Sequence, residues 1–433
     1  MQGSSVPVER AYINFENYSY SEFEPHSYLT LMTNSLIDLR GNCVMYWYPN
    51  THVIASSGSK IEIYNNAKLI NCGNRYQGPL NISINPPGKY EFRNDCALPQ
   101  SGEPFTAILD NGGSINVFGA ELELGYKINL VFDGSDSYLK LEPGSILRLG
   151  QESSIEFKNG AYLVADGGSF VSLNQSNVWN RIKFTNAGPS TITNCTFTGA
   201  ETYLDFTNTT SGNAANNITV SGNTFTNGNV KIQNTTNCLI SDNVFNSAGL
   251  FFNLIDMSNT INLQPDSWSL NITGNQFTGG LNQIKLVGLA GNVSPFYVYS
   301  NSFNGSASMG LWGTNISGSF KNNNFSSADY YTSFDLIGSD MDVYNNALYS
   351  NDNVNVHAVT SGVKLAPVLN GNNELVWYGG LNELNSANSN NLYFSNGSNA
   401  YVDNGNNCFT VQDQNYYHVT GSFSPVLILC IMQ

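Results

Sequence analysis

The sequence predicts an all-β protein whose chain winds into a three-sided parallel β-solenoid with three short strands in each coil. Three observations predict this fold: a composition rich in turn-forming residues, an eight-residue apolar repeat over residues 136–175, and a repeat of Asn and Phe from about residue 190. Coils of about 20–32 residues account for both repeats, because three short strands and their corners fill such a length.

The composition favours turns over helices and excludes several classes of protein. Of the 433 residues, 64 are Asn and 40 are Gly, whereas only 11% are charged. Asn and Gly are weak helix formers and strong turn formers, which argues against a helical bundle. Aromatic residues make up 12% of the chain, more than a disordered chain carries. The net charge of −15, without clustered Lys and Arg, excludes nucleic acid as a partner, because phosphate binding needs such clusters.

An eight-residue repeat between residues 136 and 175 defines the first set of predicted strands. Two apolar residues separated by one position recur in every octad, which is the spacing of a strand with one buried face. A small residue, often preceded by Gly, stands two positions before each pair and marks the corner between strands. The first apolar position holds Leu139, Leu147, Ile155, Leu163 and Val171, the second holds Leu141, Leu149, Phe157, Ala165 and Leu173, and the corner holds Ser137, Ser145, Ser153, Ala161 and Ser169.

A second repeat, of variable length, predicts further coils with a buried aromatic stack and an Asn ladder. Its phenylalanines recur at intervals of 28, 20, 32, 26 and 22 residues and are Phe197, Phe225, Phe245, Phe277, Phe303 and Phe325. Two residues before each stands Cys195 in the first copy and then Asn223, Asn243, Asn275, Asn301 and Asn323. Asn tolerates the left-handed backbone conformation, and its amide both donates and accepts hydrogen bonds. We therefore predict a tight turn at each Asn and a ladder of amides across stacked coils.

The repeats divide the chain into three predicted regions. Residues 1–100 show only weak repeats and are interpreted as an irregular β-rich lead-in that caps the first coil. Residues 101–370 form the parallel β-helix, and residues 371–433 form degraded last coils and a C-terminal cap. Such covers are expected because an exposed strand edge pairs with other chains.

Two segments resemble a known superfamily. Asn180-Arg-Ile-Lys-Phe184 and Ser190-Thr-Ile-Thr-Asn-Cys-Thr-Phe-Thr-Gly199, together with the later Gly-Asn-x-Phe turns, resemble the right-handed parallel β-helix repeats of the pectin-lyase-like fold. The octads resemble secreted surface β-helix proteins of Bacteroidetes-type bacteria. The resemblance covers roughly residues 100–350 and implies a right-handed coil. It implies no single activity, because its members include lyases, hydrolases, epimerases, phage tailspikes and adhesins.

Catalytic motifs are sparse. Arg181-Ile182-Lys183 matches in letters a segment of polygalacturonase-type members, but the accompanying Gly-His-Gly and Gly-Asp-Asp segments are absent from the sequence. We therefore interpret Ile182 as an inward strand residue. Paired carboxylates perform general acid–base chemistry in glycosidases, and a basic residue abstracts a proton in uronate lyases. On this basis the weak catalytic candidates are Asp335, Asp340, Asp342 and Lys285.

The Cys and His residues predict neither a metal centre nor a redox centre. Their spacings fit no ligand motif, so we predict no metal and no cofactor; calcium stays an alternative that no acidic cluster supports. Cys195 and Cys238 are predicted to be small core residues. One local disulfide among Cys43, Cys72 and Cys96 stays open.

The strand after each Phe turn predicts a ligand-binding column. In each such strand one residue stands between two apolar neighbours, and this position is expected to face outward. Rings interleaved with charged and amide groups are typical of sugar-binding grooves, whereas an ordinary solvated face is the alternative interpretation. The predicted ligand-binding residues are Asp205, Lys231, Phe251, Asn253, Lys285, Trp312, Asp335 and His357.

Three functions remain open. The first is a non-catalytic adhesin or glycan-binding scaffold, secreted or at the surface of a bacterial cell, whose partner is a polysaccharide or a cell-surface glycan. The second is a polysaccharide lyase or glycoside hydrolase that uses the column, and the third is a phage tailspike-like protein. The first residues show no signal-peptide pattern, and the C-terminal apolar run is too short to span a bilayer. Oligomeric state stays open.

Overall fold

The computed structural model contains only β-strands as regular elements in the part of the chain that it describes. That part comprises residues 12–73, 75–93, 105–174, 178–200, 202–207, 218–233, 238–246, 250–253, 270–278, 283–287, 295–304, 309–314, 317–328, 331–337, 340–344, 346–350, 353–359, 362–366, 382–386, 391–394, 399–400 and 416–419. The chain divides into two compact units, Met1–Leu204 and Asp205–Gln433.

The strands of the first unit are mostly four residues long. They are β1 (Tyr12–Phe15), β2 (Tyr20–Phe23), β3 (Tyr28–Leu31), β4 (Leu36–Leu39), β5 (Val44–Trp47), β6 (His52–Ala55), β7 (Lys60–Ile63), β8 (Lys68–Asn71), β9 (Arg75–Gln77), β10 (Asn81–Ile84), β11 (Lys89–Phe92), β12 (Phe105–Asp110), β13 (Ser114–Val117), β14 (Glu121–Leu124), β15 (Ile128–Asp133), β16 (Tyr138–Leu141), β17 (Ile146–Leu149), β18 (Ser154–Lys158), β19 (Tyr162–Asp166), β20 (Ser169–Ser172), β21 (Arg181–Thr185), β22 (Ser190–Thr193) and β23 (Thr196–Thr198). Strand β24 (Thr202–Thr207) holds the position at which the units divide.

The strands of the second unit follow the same plan. They are β25 (Ile218–Ser221), β26 (Thr224–Thr226), β27 (Asn229–Gln233), β28 (Cys238–Ser241), β29 (Val244–Asn246), β30 (Leu250–Asn253), β31 (Leu270–Thr273), β32 (Gln276–Thr278), β33 (Gln283–Val287), β34 (Pro295–Tyr299), β35 (Ser302–Asn304), β36 (Met309–Thr314), β37 (Ser317–Lys321), β38 (Asn324–Ala328), β39 (Tyr331–Ile337), β40 (Asp340–Tyr344), β41 (Asn346–Ser350), β42 (Asn353–Val359), β43 (Gly362–Ala366), β44 (Asn382–Ser386), β45 (Asn391–Phe394), β46 (Asn399–Ala400) and β47 (Tyr416–Val419).

The first unit is a parallel β-solenoid. Every third strand in chain order lies beside the next in one sheet, as in β10-β13-β16-β19 and β11-β14-β17-β20, and each of these neighbours runs parallel. The 24-residue repeat is visible where Ile115, Leu139 and Leu163 are consecutive Cα partners. The predicted all-β parallel solenoid is therefore confirmed.

The octads bury the predicted residues, with one correction. Leu139, Leu141 and the other apolar pairs through Ala165 are at most 1% exposed. The fifth octad was predicted one residue too far along, because Phe170 instead of Val171 is buried and is the Cα partner of Leu147. Gly168, instead of Ser169, occupies the buried corner, since this turn is one residue shorter than the others.

The first hundred residues differ from the predicted irregular lead-in. Residues 12–73 and 75–93 already form coils of the same kind, in which Ile37, Ile61 and Ile82 are successive Cα partners and are buried. The repeat is weak in the sequence because tyrosines such as Tyr20 and Tyr46 occupy outward strand positions and mask the apolar alternation. The division between units also lies at residues 204 and 205, away from both predicted boundaries.

The second unit is likewise a parallel solenoid with a buried aromatic stack. Its three sheets run β25-β28-β31-β34-β37-β40-β43-β46, β26-β29-β32-β35-β38-β41-β44 and β27-β30-β33-β36-β39-β42-β45-β47. Phe245, Phe277 and Phe303 stack with centroids 4.7 Å apart at each step and nearly parallel planes. The side chain of Phe325 lies outside the described set, although its Cα pairs with that of Phe303.

The predicted Asn ladder is present and fully buried. Asn275 shows the repeating bond set: its Oδ1 accepts from the backbone N–H and from Nδ2 of Asn243, at 3.0 and 2.9 Å. Its own Nδ2 donates to Ile240 O at 2.8 Å and to Asn301 Oδ1 at 2.9 Å. The same pattern joins Asn223 to Asn243 and Asn301 to Asn323. Each inner amide therefore has partners for both of its hydrogens and for its oxygen.

The turn geometry corrects one detail of the prediction. The left-handed residue is the one before each ladder Asn instead of the Asn itself. These residues are Asn194, before Cys195, and then Gly222, Asp242, Gly274, Ser300 and Asn322, with φ between 54° and 68°. The Asn thereby keeps an ordinary backbone conformation, which leaves its side chain to point into the core.

The predicted degraded last coils contain strands in register with those before them. Strand β45 pairs with β42, and β47 pairs with β45, so these strands continue one sheet of the second unit. The segment Asn407-Cys408-Phe409 also matches the Asn-x-Phe pattern of the earlier turns, and it lies outside the described residues.

Candidate functional site

The backbone register aligns six of the eight predicted ligand-binding residues in one row across the coils of the second unit. Each is the Cα partner of the next in strands β27, β30, β33, β36, β39 and β42. We call this row the column; it consists of Lys231, Phe251, Lys285, Trp312, Asp335 and His357. The predicted alignment is thus present for these six residues, and the predicted ligand binding stays a prediction.

The row continues over two residues that the sequence did not single out. Tyr393 is the Cα partner of His357, and His418 is the Cα partner of Tyr393. Each stands between apolar or aromatic neighbours, as in Leu392-Tyr393-Phe394, and this alternation was the available signal. It was missed because the tail was interpreted as degraded coils.

Lys231 shows how the column sits on its strand. It is exposed, whereas Val230 and Ile232 beside it are at most 1% exposed. Ile284, the neighbour of Lys285, is also fully buried. From Phe251 to His357 the column side chains lie outside the described set, so their positions are given by Cα register alone.

Asp205 departs from the prediction. It lies between the fully buried Leu204 and Phe206, as predicted, but it is itself only 7% exposed. Thr207 Oγ1 donates a hydrogen bond to Asp205 Oδ1 at 3.3 Å. The predicted exposure of Asp205 is therefore wrong, because other groups cover this outer position. Direct contact with a large ligand would require those groups to move.

The weak catalytic candidates are divided between two sheets. Asp335 lies on β39 in the column, whereas Asp340 and Asp342 lie on β40 in another sheet. Asp342 is the Cα partner of Ser319 and of Lys364. The three carboxylates were grouped by closeness in sequence, but a solenoid corner separates Asp335 from the other two.

Asn253 belongs to a row next to the column. It lies two residues beyond Phe251 on β30, and its Cα partners are Gln233 and Val287. Residues two apart on a strand share a face, so Asn253 and the column occupy the same side of this sheet. A polymer lying along the column would pass beside this position.

An ionic cluster in the first unit was not predicted. Lys89 Nζ lies 2.9 Å from Glu121 Oε1, 2.6 Å from Glu123 Oε2 and 3.3 Å from Glu91 Oε1. Arg148 Nε donates to Glu121 Oε1 at 2.9 Å from the next coil. Burial alone would lower the pKa of Lys89, but the bonds to the glutamates outweigh it and raise the pKa. The signal was the Lys-x-Glu and Glu-x-Glu alternation of β11 and β14.

This cluster predicts a loss of stability in acid. Burial opposes ionisation of Glu121, but the hydrogen bonds and positive charges of Lys89 and Arg148 together outweigh it and lower the pKa of Glu121. A carboxyl with a lowered folded pKa stabilises the fold above its unfolded pKa, and this stabilisation is lost as the pH falls through the folded value. We expect the urea midpoint of the wild-type protein to fall as the pH is lowered from 6 to 3. In Glu121→Gln the midpoint should fall less, because this variant lacks one carboxyl group whose pKa is lowered in the folded protein. Equal pH profiles for both proteins would contradict the assignment.

The cysteines divide into buried thiols and one bonded residue. Cys72 is disulfide-bonded to a partner outside the described residues, whereas Cys43, Cys195 and Cys238 are buried thiols outside any disulfide. Cys43 is therefore not the partner of Cys72. Burial raises the pKa of Cys195 to about 11, and it also raises that of Cys238. Their burial confirms the predicted core role of Cys195 and Cys238. Buried thiols of raised pKa are also poor nucleophiles.

The Arg181-Ile182-Lys183 segment has the structural role predicted for it. Ile182 is fully buried on β21, and Lys183 Nζ lies 3.2 Å from Glu156 Oε1 on the neighbouring strand. This pairing holds two coils together at the outer face of the sheet.

Within the described ranges, no three His, Cys, Asp or Glu side chains converge as metal ligands would. The same part of the chain contains no apolar helix of membrane-spanning length.

Comparison with known proteins identifies no family. No protein-family model matches the chain, and no curated protein matches it in sequence.

Proposed function

We propose that the chain is a non-catalytic, extracellular or cell-surface β-helix protein that binds a polysaccharide or cell-surface glycan along the column. The observation that carries the proposal is the Cα register that aligns Lys231, Phe251, Lys285, Trp312, Asp335 and His357 in one row. A row of this kind, with one residue about every 4.8 Å, suits an extended polymer better than a compact ligand.

The chemistry of the row suits a sugar chain. Aromatic rings at Phe251 and Trp312 offer flat apolar faces, and cations at Lys231 and Lys285 alternate with them along the register. Sites for sugars combine apolar faces with a few polar groups that fix orientation. Because lysines pair with carboxylates, the proposal favours a glycan that carries carboxylate groups.

Further support comes from the fold resemblance and from the disulfide. Extracellular lyases and adhesins share the pectin-lyase-like repeats that the sequence resembles, as do secreted surface proteins of Bacteroidetes-type bacteria. A disulfide at Cys72 fits an oxidising compartment outside the cytoplasm.

The enzyme alternative is retained because Asp335 and His357 are Cα partners on adjacent coils. A carboxylate and an imidazole on neighbouring strands provide an acid and a base close to one ligand. The sheet topology argues against the enzyme alternative, because Asp335 lies in a different sheet from Asp340 and Asp342.

The test is affinity electrophoresis of the full chain in gels that contain polyuronates or neutral polysaccharides. We expect retardation by a polyuronate, and about tenfold weaker binding for Trp312→Ala, from the loss of one ring contact. Tyr297→Ala is the matched control, because it removes a ring from β34 in a different sheet of the same unit.

Three outcomes would overturn the proposal. Wild-type protein that no polysaccharide retards would exclude glycan binding, and equal retardation of Trp312→Ala and wild type would exclude the column. Release of unsaturated products or reducing ends, lost in Asp335→Ala, would replace the scaffold with the enzyme alternative.

A further inference from the structure

The first two coils carry a group of outward tyrosines around one carboxylate. Tyr20 and Glu22 lie on β2. Tyr46 lies on β5, and Tyr48 directly follows that strand. Tyr20 is 61% exposed, Glu22 is exposed, and Tyr46 and Tyr48 are half-buried. We call these four residues the tyrosine patch. It lies wholly in the first unit, on a different strand set from the column.

The rings of the patch are close neighbours. The centroids of Tyr20 and Tyr46 are 5.5 Å apart, and those of Tyr46 and Tyr48 are 6.1 Å apart with planes inclined by only 19°. Glu22 is the Cα partner of Tyr46 and therefore lies between the other two tyrosines. The result is a continuous aromatic surface with a carboxylate at its centre.

The polar atoms of the patch converge on one oxygen. Tyr48 OH donates to Glu22 Oε1 at 3.2 Å, and Tyr20 OH donates to the same oxygen. These bonds hold two phenol groups in defined positions at the surface. The phenol oxygens keep lone pairs for incoming donors, and Glu22 keeps a second carboxylate oxygen.

The core beneath the patch fixes the direction of its tyrosines. On β5, Met45 and Trp47 alternate with the outward tyrosines and are fully buried. Strand alternation thus places Tyr46 and Tyr48 on the outer face while their neighbours pack in the core. Several aromatic rings placed together on the outer face of a sheet are more than scattered surface residues and indicate a contact surface.

We propose that the tyrosine patch binds a neutral polysaccharide. Tyrosine rings stack on the apolar faces of sugar rings, and phenol and carboxylate oxygens accept hydrogen bonds from sugar hydroxyls. The carboxylate of Glu22 at the centre of the patch repels anionic groups locally, which disfavours uronic-acid polymers and nucleic acids at this site. This site is separate from the column and does not rest on it.

The test measures binding of the full chain to a soluble neutral glucan or mannan and, in parallel, to a polyuronate. We expect Tyr46→Ala and Tyr20→Ala each to weaken binding of the neutral polymer about tenfold. Tyr46→Phe should bind nearly as well as wild type, because it keeps the ring and because the hydrogen bonds to Glu22 come from Tyr20 and Tyr48. Tyr138→Ala is the control; it removes one ring of the stacked, half-buried pair Tyr138 and Tyr162 in another sheet.

The outcomes separate this site from the column. Loss of neutral binding in Tyr20→Ala, with no change in Trp312→Ala, supports the patch whatever the column binds. Since Tyr20 is exposed, this variant is expected to fold, and its circular dichroism and melting temperature verify that. Unchanged binding in the Tyr20→Ala/Tyr46→Ala double variant, equal weakening in Tyr138→Ala, or stronger binding of the polyuronate at the patch would overturn the inference.

Discussion

Replacing Asn275 with Ala is expected to lower the free energy of unfolding by about 4 kcal/mol. The substitution removes the acceptor of two hydrogen bonds from Asn243 and the donor to Ile240 O and to Asn301 Oδ1. These groups are fully or almost fully buried, so water cannot replace the lost partner. An unsatisfied buried polar group costs about 1–3 kcal/mol, and several are created at once together with a small cavity.

The measurement is urea unfolding followed by circular dichroism, with Asn246→Ala as the matched control. Asn246 is an exposed residue three positions beyond a ladder Asn, so the same substitution there should change the unfolding free energy by less than about 0.5 kcal/mol. If Asn275→Ala and Asn246→Ala unfold at the same urea concentration, the ladder does not stabilise the fold as described.

Replacing Phe277 with Ala is expected to cost a similar amount, about 3–5 kcal/mol. The ring is fully buried and stacks between Phe245 and Phe303 at 4.7 Å on each side, nearly parallel to both. Its removal leaves a cavity between two coils and breaks two ring contacts, each worth about 0.5–1.5 kcal/mol beyond the buried area. Backbone pairing on both sides restricts how far the coils can collapse into the cavity.

Chemical unfolding and differential scanning calorimetry test this expectation with two comparison variants. Phe277→Leu should recover roughly half of the loss, because it refills most of the volume without restoring the stack. Gln276→Ala, at the exposed neighbouring position, should leave the unfolding free energy nearly unchanged. A larger loss for Gln276→Ala than for Phe277→Ala would contradict the assignment of Phe277 to the core stack.

The core could be predicted from the sequence because its signals are local. The Phe–Asn spacing identifies residues such as Asn243 and Phe245 within one turn, and each turn repeats the same local chemistry. The fifth octad failed for the same reason: a turn shortened by one residue shifts burial from Val171 to Phe170, and apolar residues at both positions hide the shift.

The surface was harder to predict because it depends on contacts between coils. The ionic cluster joins Lys89 to Glu121 across 32 residues, and no local pattern defines that distance before the coil length is known. The burial of Asp205 likewise depends on tertiary contacts, which cannot be predicted from the alternation of residues along one strand. The alternation along single strands was sufficient to predict the alignment of the column. Parallel strands in constant register place Lys231 and Lys285 in the same row of the sheet.

The ladder also has a consequence for how such a chain tolerates changes in length. Consecutive ladder bonds join residues separated by 20, 32, 26 and 22 positions, yet their Nδ2 to Oδ1 distances all lie between 2.9 and 3.0 Å. Bond geometry is therefore independent of the length of chain between two rungs, and doubling a flexible loop costs only about 0.6 kcal/mol. A peptide inserted between rungs, outside the strands, should leave the stacking intact. The solenoid is thus suited to gain or display new surface segments without redesign of its core.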